Sequence, residues 1–186
     1  MTTIYLLRHA QSRPDQAIAE PDWPLSELGV TQARALVAPL GLLGITSVYS
    51  SPYPRAIATV QPFADSVGLN VNVVSDLRER KLREGSDGDY RALLRQTWHD
   101  FSFAAPGGES SAAAQKRVMN AVQSLAATHP GEVVLAASHG NAIALYLNSF
   151  DRSFGYDGWA TMKNPDIYRI TVDEETASWE RDWKLP

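Results

Sequence analysis

Short apolar runs alternate along this chain with stretches of helical spacing. Ile4-Tyr5-Leu6-Leu7 is apolar, partly β-branched and aromatic, and predicts a first strand over about residues 3–8, covered on both faces. A loop with Pro14, Pro21 and Pro24 follows. Leu28, Ala33, Leu36, Val37 and Leu40 then recur at helical spacing, predicting a helix from an N-cap at Ser26 to Gly41. A second strand is predicted over 45–50. Pro52 and Pro54 open a helix through Ile57, Val60, Phe63, Ala64 and Val67, stopped by Gly68. Pro62 lies inside that pattern and predicts a kink or an early break. A third strand covers 71–74. A less regular stretch carries one helix, over 90–103, between Gly85, Gly88 and Pro106-Gly107-Gly108. Ser110 or Ser111 starts a long Ala-rich helix to Ala127, closed by Pro130-Gly131. Val133-Val134-Leu135-Ala136-Ala137 forms a fourth strand ending at Ser138, with a short helix from Asn141. Residues 167–172 and 178–183 predict a hairpin around Asp173-Glu174-Glu175.

Strands alternating with helices imply an α/β fold, a three-layer α/β/α sandwich with a mostly parallel sheet. The 186 residues suffice for one domain spanning 1–186, with a short lid-like insertion at about 80–108. Internal repeats and low-complexity tracts are absent from the sequence. The composition, 44% hydrophobic and 20% charged, is that of an ordinary soluble protein. Cysteine is absent, which excludes disulfides, thiolate nucleophiles and Cys-ligated zinc. A net charge of -4 argues against nonspecific nucleic-acid binding, which needs a basic face. The first residues are too short and lack the basic start of a signal peptide. No apolar run is long enough to span a membrane, so a cytoplasmic location is the default expectation.

The chemistry is concentrated at the strand ends. In open α/β sheets, ligands bind beyond the carboxyl ends of the strands. The first strand delivers Arg8 and His9 there. The second leads through Ser50-Ser51-Pro52 to Arg55, the third through Asp76-Leu77-Arg78 to Glu79, and the fourth to His139. These groups meet the needs of phosphoryl transfer. Arg8 and Arg55 suit a bidentate grip on an anion. His139, protonated or as a neutral donor, balances charge on the equatorial oxygens. The Gly140 and Asn141 amides open a helix, where backbone N–H groups favour anions. His9 attacks phosphorus through an unprotonated ring nitrogen. Glu79 protonates the departing alkoxide and then deprotonates the attacking water. With this much fixed positive charge no metal is required.

Leu7-Arg8-His9-Ala10-Gln11-Ser12 resembles the Arg-His-Gly motif of the histidine phosphatase superfamily, which contains the cofactor-dependent phosphoglycerate mutases. The resemblance covers nearly the whole chain. Pro24-Leu25-Ser26-Glu27-Leu28-Gly29 with Gln32-Ala33 looks like the family's first helix. Ser50-Ser51-Pro52 with Arg55-Ala56 and Thr59 looks like its arginine motif, and Leu77-Arg78-Glu79-Arg80 like its acid-bearing segment. Gly107-Gly108-Glu109-Ser110 and Ser138-His139-Gly140-Asn141 complete the set. The resemblance implies that His9 is the phosphorylated nucleophile and Glu79 the proton donor. It implies a phosphate pocket made by Arg8, Arg55 and His139, helped by the amides of Gly140 and Asn141. The implied partner is a small phosphorylated substrate, with no cofactor.

The chain also departs from the family pattern. Ala10 replaces the commoner glycine and Gln11 an acidic residue. Pro14-Asp15 stands where mutases usually carry an asparagine, and Lys81-Leu82-Arg83-Glu84-Gly85 replaces a glycine- and tryptophan-bearing stretch. The insertion is short for a mutase, which benefits from a larger cover to exclude water. The expectation is therefore a metal-independent phosphatase. The alternatives are a cofactor-dependent phosphoglycerate mutase and a non-catalytic phosphate-binding or interaction module. Glu84 is a second candidate acid. Arg78, Arg80, Lys81 and Arg83 form a basic run, read as a solvated face or as a selector for a second anionic group. His99 and His129 are expected to be surface or structural. The five tryptophans are expected mostly in packing. Trp98 with Phe101 and Phe103 is an alternative lid lining, and Trp179 with Trp183 a possible homodimer contact.

Overall fold

The computed structural model describes residues 1–83, 89–173 and 177–181. Its sheet has six strands in the order β3-β2-β4-β1-β5-β6. They are β1 (Thr2–Arg8), β2 (Ser47–Ser50), β3 (Val71–Val73), β4 (Val133–Ser138), β5 (Asp166–Val172) and β6 (Ala177–Glu180). The pairings among β1, β2, β3 and β4 are parallel, while β5 and β6 add antiparallel to the β1 edge. The β5–β6 hairpin is as expected, but Glu174, Glu175 and Trp183 lie outside the described residues.

Side-chain alternation along β1 and β4 builds the two cores. Ile4, Leu6, Val134 and Ala136 face one side, against α5 (Ser111–Thr128) and α6 (Gly140–Phe150). Leu7, Leu135 and Ala137 face the other, against Leu36, Leu40, Ala56, Val60 and Phe63. These last belong to or flank α1 (Glu27–Ala35), α2 (Val37–Leu40) and α3 (Pro54–Val67). Helices thus cover both faces of one mostly parallel sheet. Burial on both sides explains why β1 and β4 read as continuous apolar runs.

Several boundaries differ from the sequence expectation for identifiable reasons. The predicted helix from Ser26 to Gly41 is two, α1 and α2, because Pro39 lacks the N–H that would continue the ladder. Ser26 does cap α1, accepting from Gly29 N at 3.0 Å. Pro62 does not break α3, which runs on to Gly68 in the left-handed conformation. Buried Thr59, Val60, Phe63 and Ala64 hold that helix against the sheet and outweigh one missing bond. Ser110 is the cap of α5, accepting from Ala113 N at 3.1 Å. The helix ahead of α5, α4 (Tyr90–His99), ends before Phe103, where Asp100 turns extended. A short helix, α7 (Tyr156–Ala160), went unread in the sequence.

Gly29 shows how tightly the first loop packs on α1. A Cβ there would lie 2.0 Å from the carbonyl oxygen of Gln11. Only glycine lets the chain just beyond His9 lie against this helix.

Candidate active site

Register places both strand-end histidines at one edge. Arg8 pairs with Ser138 across β1 and β4, and the ladder continues one step as His9 N donates to Ser138 O at 3.1 Å. On the other flank of β4, Ser51 N donates to Ala137 O at 2.9 Å. His9, His139 and Ser51 therefore leave adjacent strands at the same level. The two imidazoles sit edge to face with centroids 5.1 Å apart.

His9 is 7% exposed and held from several sides. Its Nδ1 lies 2.7 Å from its neighbour's carbonyl, Ala10 O, a contact that requires Nδ1–H as donor. Nε2 is then the nitrogen with the lone pair, and Arg55 Nε donates to it at 3.3 Å. Ala10 N donates to Thr59 Oγ1 at 2.9 Å, and Asn164 Nδ2 donates to His9 O at 2.8 Å. Burial drives the His9 pKa down to about 3, opposed by the bond to Ala10 and helped by the charges of Arg55 and Arg8. The imidazole is neutral near neutral pH.

His139 is fully buried. Its Nε2 lies 2.7 Å from Ser51 Oγ, which also accepts from Tyr53 N at 3.2 Å. We assign the Ser51 hydroxyl as the donor to Nε2, which uses its hydrogen and one lone pair, so the ring proton falls on Nδ1. That nitrogen has no hydrogen-bond partner. Burial, then His9, Arg55 and Arg8, holds the His139 pKa well below its usual value. Of the two states left open by the sequence, the free site thus holds the neutral donor.

The cations flank this pair. Arg8 Nη1 donates to Met162 O at 2.8 Å, while its buried Nε has no partner. Burial lowers the Arg8 pKa, countered by Glu79 and Asp166. Gly140 makes room for this arginine, since a Cβ there would lie 3.1 Å from Arg8 Cζ and 3.1 Å from Trp159 Nε1. Arg55 is 3% exposed and also ion-paired to Glu20. Unpartnered donors on Arg8 and His139, beside a second guanidinium, form a site shaped for an anion.

Glu79 stands at the start of α6. It accepts from Arg80 N at 2.8 Å, Asn141 N at 3.1 Å and Ala142 N at 3.0 Å. The Asn141 amide, expected to face phosphate, thus serves the Glu79 carboxylate instead. The helix N-terminus has taken the nearest anion of its own chain. Arg80, read as part of a basic run, is buried rather than solvated. It donates to Ser111 Oγ at 2.5 Å and to Asn141 Oδ1 at 3.4 Å. His129 is structural, lying 2.8 Å from Tyr49 Oη and 3.0 Å from Glu132 Oε2, and His99 is exposed. Glu84 lies outside the described residues. Among the described residues no three His, Asp or Glu side chains cluster to hold a metal ion, and no helix is long and apolar enough to cross a membrane.

A mostly parallel sheet has its two central strands ending in facing histidines, between the buried Arg55 and the half-buried Arg8, and this edge is shaped for an anion. Residues 4–182 match the histidine phosphatase superfamily (branch 1), and the chain belongs to that family. It is 28% identical over 162 residues to a probable phosphoglycerate mutase of Yersinia pestis, covering 80% of this chain and 74% of that protein. It is also similar to a mycobacterial glucosyl-3-phosphoglycerate phosphatase solved with inorganic phosphate. That structure has a TM-score of 0.78 and 27% identity over 99% of this chain and 97% of the other. YhfR of Bacillus stearothermophilus superposes with a TM-score of 0.80 and 25% identity, over 98% and 96%.

Proposed function

We propose that this protein is a phosphatase that hydrolyses phosphomonoesters through a phosphohistidine on His9, without a metal ion. The observation that carries the reading is the 2.7 Å contact from His9 Nδ1 to Ala10 O. It leaves a neutral ring with Nε2 as the nucleophile, beside a second imidazole whose Nδ1 lacks a partner. Nε2 attacks phosphorus in line, the P–N bond forms and the ester P–O bond breaks. Arg8, Arg55 and the His139 Nδ1–H stabilise the equatorial oxygens. Glu79 swings one oxygen away from the α6 amides, takes the proton that the phosphomonoester monoanion brings in, and passes it to the departing alkoxide. Glu79 then takes a proton from water as that water attacks phosphorus, and phosphate leaves as the P–N bond breaks.

The test is hydrolysis of a generic aryl phosphate in the presence of EDTA, with vanadate as inhibitor. His9→Ala is expected to abolish turnover, together with acid-labile label from a phosphate donor. Full activity of that variant refutes the reading. Interconversion of 2- and 3-phosphoglycerate faster than phosphate release would instead assign a mutase.

A further inference from the structure

The loop between β1 and α1 lays its own anion on Arg55. Every nitrogen of that guanidinium is engaged. Nε donates to His9 Nε2 at 3.3 Å, and Nη1 donates to Glu20 O at 2.8 Å. Nη2 is ion-paired to the Glu20 carboxylate. Arg55 is 3% exposed and the Glu20 side chain 47%, so a ligand reaches this guanidinium by taking the place of Glu20. The backbone around Glu20 is tied down. Its carbonyl is one of the acceptors of Arg55, and the turn is closed by Asp22 N to Ala19 O at 2.9 Å and Trp23 N to Glu20 O at 3.3 Å. A displaced Glu20 carboxylate therefore stays within one side-chain length of the pocket.

The surroundings of that carboxylate are acidic and aromatic. Glu79 couples electrostatically to Glu20, and the phenols of Tyr53 and Tyr90 feel both carboxylates. Tyr53 packs on His139 with centroids 4.9 Å apart and lies 4.9 Å from the Arg55 guanidinium. Arg78, the further cation that Tyr53 feels, is bound to Asp76 at 2.9 Å and faces Glu109 at 3.9 Å. Carboxylates and aromatic faces together suit an ammonium group.

We propose that Glu20 selects the substrate by charge: the substrate's phosphoryl group replaces its carboxylate on Arg55, and the displaced carboxylate then faces the leaving group. Phosphomonoesters with an ammonium group near the ester oxygen are favoured, and those with a carboxylate there are disfavoured. This rests on the phosphatase reading, in which the leaving group points toward Glu79, the electrostatic neighbour of Glu20.

Binding is measured by calorimetry in a His9→Ala background, so that affinity is read without turnover. The probes are inorganic phosphate, O-phosphoethanolamine and 2-phosphoglycolate, two-carbon esters that differ in the sign of one charge. Without Glu20→Gln, phosphoethanolamine is expected to bind more tightly than phosphoglycolate. Adding Glu20→Gln should tighten inorganic phosphate and shrink the ratio of the two ester affinities by about ten-fold. The same ratio with and without Glu20→Gln overturns the proposal, even where phosphate binding tightens. Binding of phosphate with no binding of either ester overturns it too. Failure of inorganic phosphate to bind at all removes the phosphate site, and both readings fall. A His9→Ala protein that still turns over refutes only the phosphohistidine step, and the ratio remains readable.

Discussion

Thr59 is where the geometry of His9 is most open to a single-atom test. Its hydroxyl accepts from Ala10 N at 2.9 Å and donates to Arg55 O at 2.7 Å, and the residue is fully buried. Ala10 is also the residue whose carbonyl accepts the hydrogen bond from His9 Nδ1. Thr59 thus anchors the N–H side of Ala10, the residue whose carbonyl, one peptide further on, orients the nucleophile. Thr59→Val keeps the shape and leaves no cavity, but strands the Ala10 N–H without an acceptor. An unsatisfied buried donor costs about 1–3 kcal/mol. The bond to Arg55 O adds little, because that carbonyl already lies within α3. For a chain of this length each kcal/mol lowers Tm by roughly 2–4 °C. A released Ala10 peptide also lets the His9 ring turn, and a misplacement near 1 Å costs on the order of 100-fold in rate.

The expected result for Thr59→Val is a urea-unfolding loss of about 1–3 kcal/mol with a kcat on aryl phosphate lowered about 10- to 100-fold. Thr59→Ser keeps the hydroxyl and should restore kcat to within a few-fold, while losing about 0.8 kcal/mol for the methyl. Wild-type kcat in Thr59→Val, or equal kcat losses in the two variants, would refute the role assigned to this hydroxyl.

Other consequences are open to measurement. His9 titrates at about 3 when folded against an ordinary 6.5, so the unfolded chain binds a proton that the folded chain refuses. Stability is then full above pH 6.5 and falls as pH drops toward 3, by up to about 1.4 kcal/mol per unit. Urea unfolding across that window should be flatter for His9→Ala, and identical slopes would exclude this linkage. Ser51→Ala removes the partner of His139 Nε2 and should lower kcat about 10-fold, with the unfolding midpoint as control. Gly29→Ala forces a Cβ toward Gln11 O and should destabilise by at least about 2 kcal/mol, read by thermal unfolding. Glu79→Gln should slow hydrolysis more for poor leaving groups than for good ones, and equal slowing would speak against its acid role.

The layers of the fold were legible because period and length were unambiguous. Apolar runs too short for helices, each followed by an amphipathic stretch, describe covered parallel strands. Local pattern misleads where local and tertiary forces disagree. Pro62 reads as a breaker, yet one face of α3 is buried deeply enough to carry it through. Pro39 lies in a stretch with less to hold it, and the helix divides there. Trp159 sits in the short α7 and packs near Arg8 and Gly140, a position no periodicity announces.

The candidate site divides along the same line. Arg8, His9 and His139 were readable because strand ends in such a sheet share an edge, so a residue's place in its strand gives its place in space. Arg55 and Glu79 follow a few residues beyond their strands and stay within reach of that edge. Their neighbours are a different matter. Glu20 comes from a loop of exposed residues and meets Arg55 across 35 positions, Asn164 reaches His9 across 155, and Arg80 is buried between helices. Such contacts depend on how loops close, and loop closure leaves no periodic trace in a sequence. The distinction has a chemical side. The residues legible from strand position are those assigned to handle the phosphoryl group, whose demands are the same for any ester. The residues that only coordinates reveal lie around it, where one ester differs from another. Glu20 is the acidic member of that second set, and its carboxylate touches the first through Arg55.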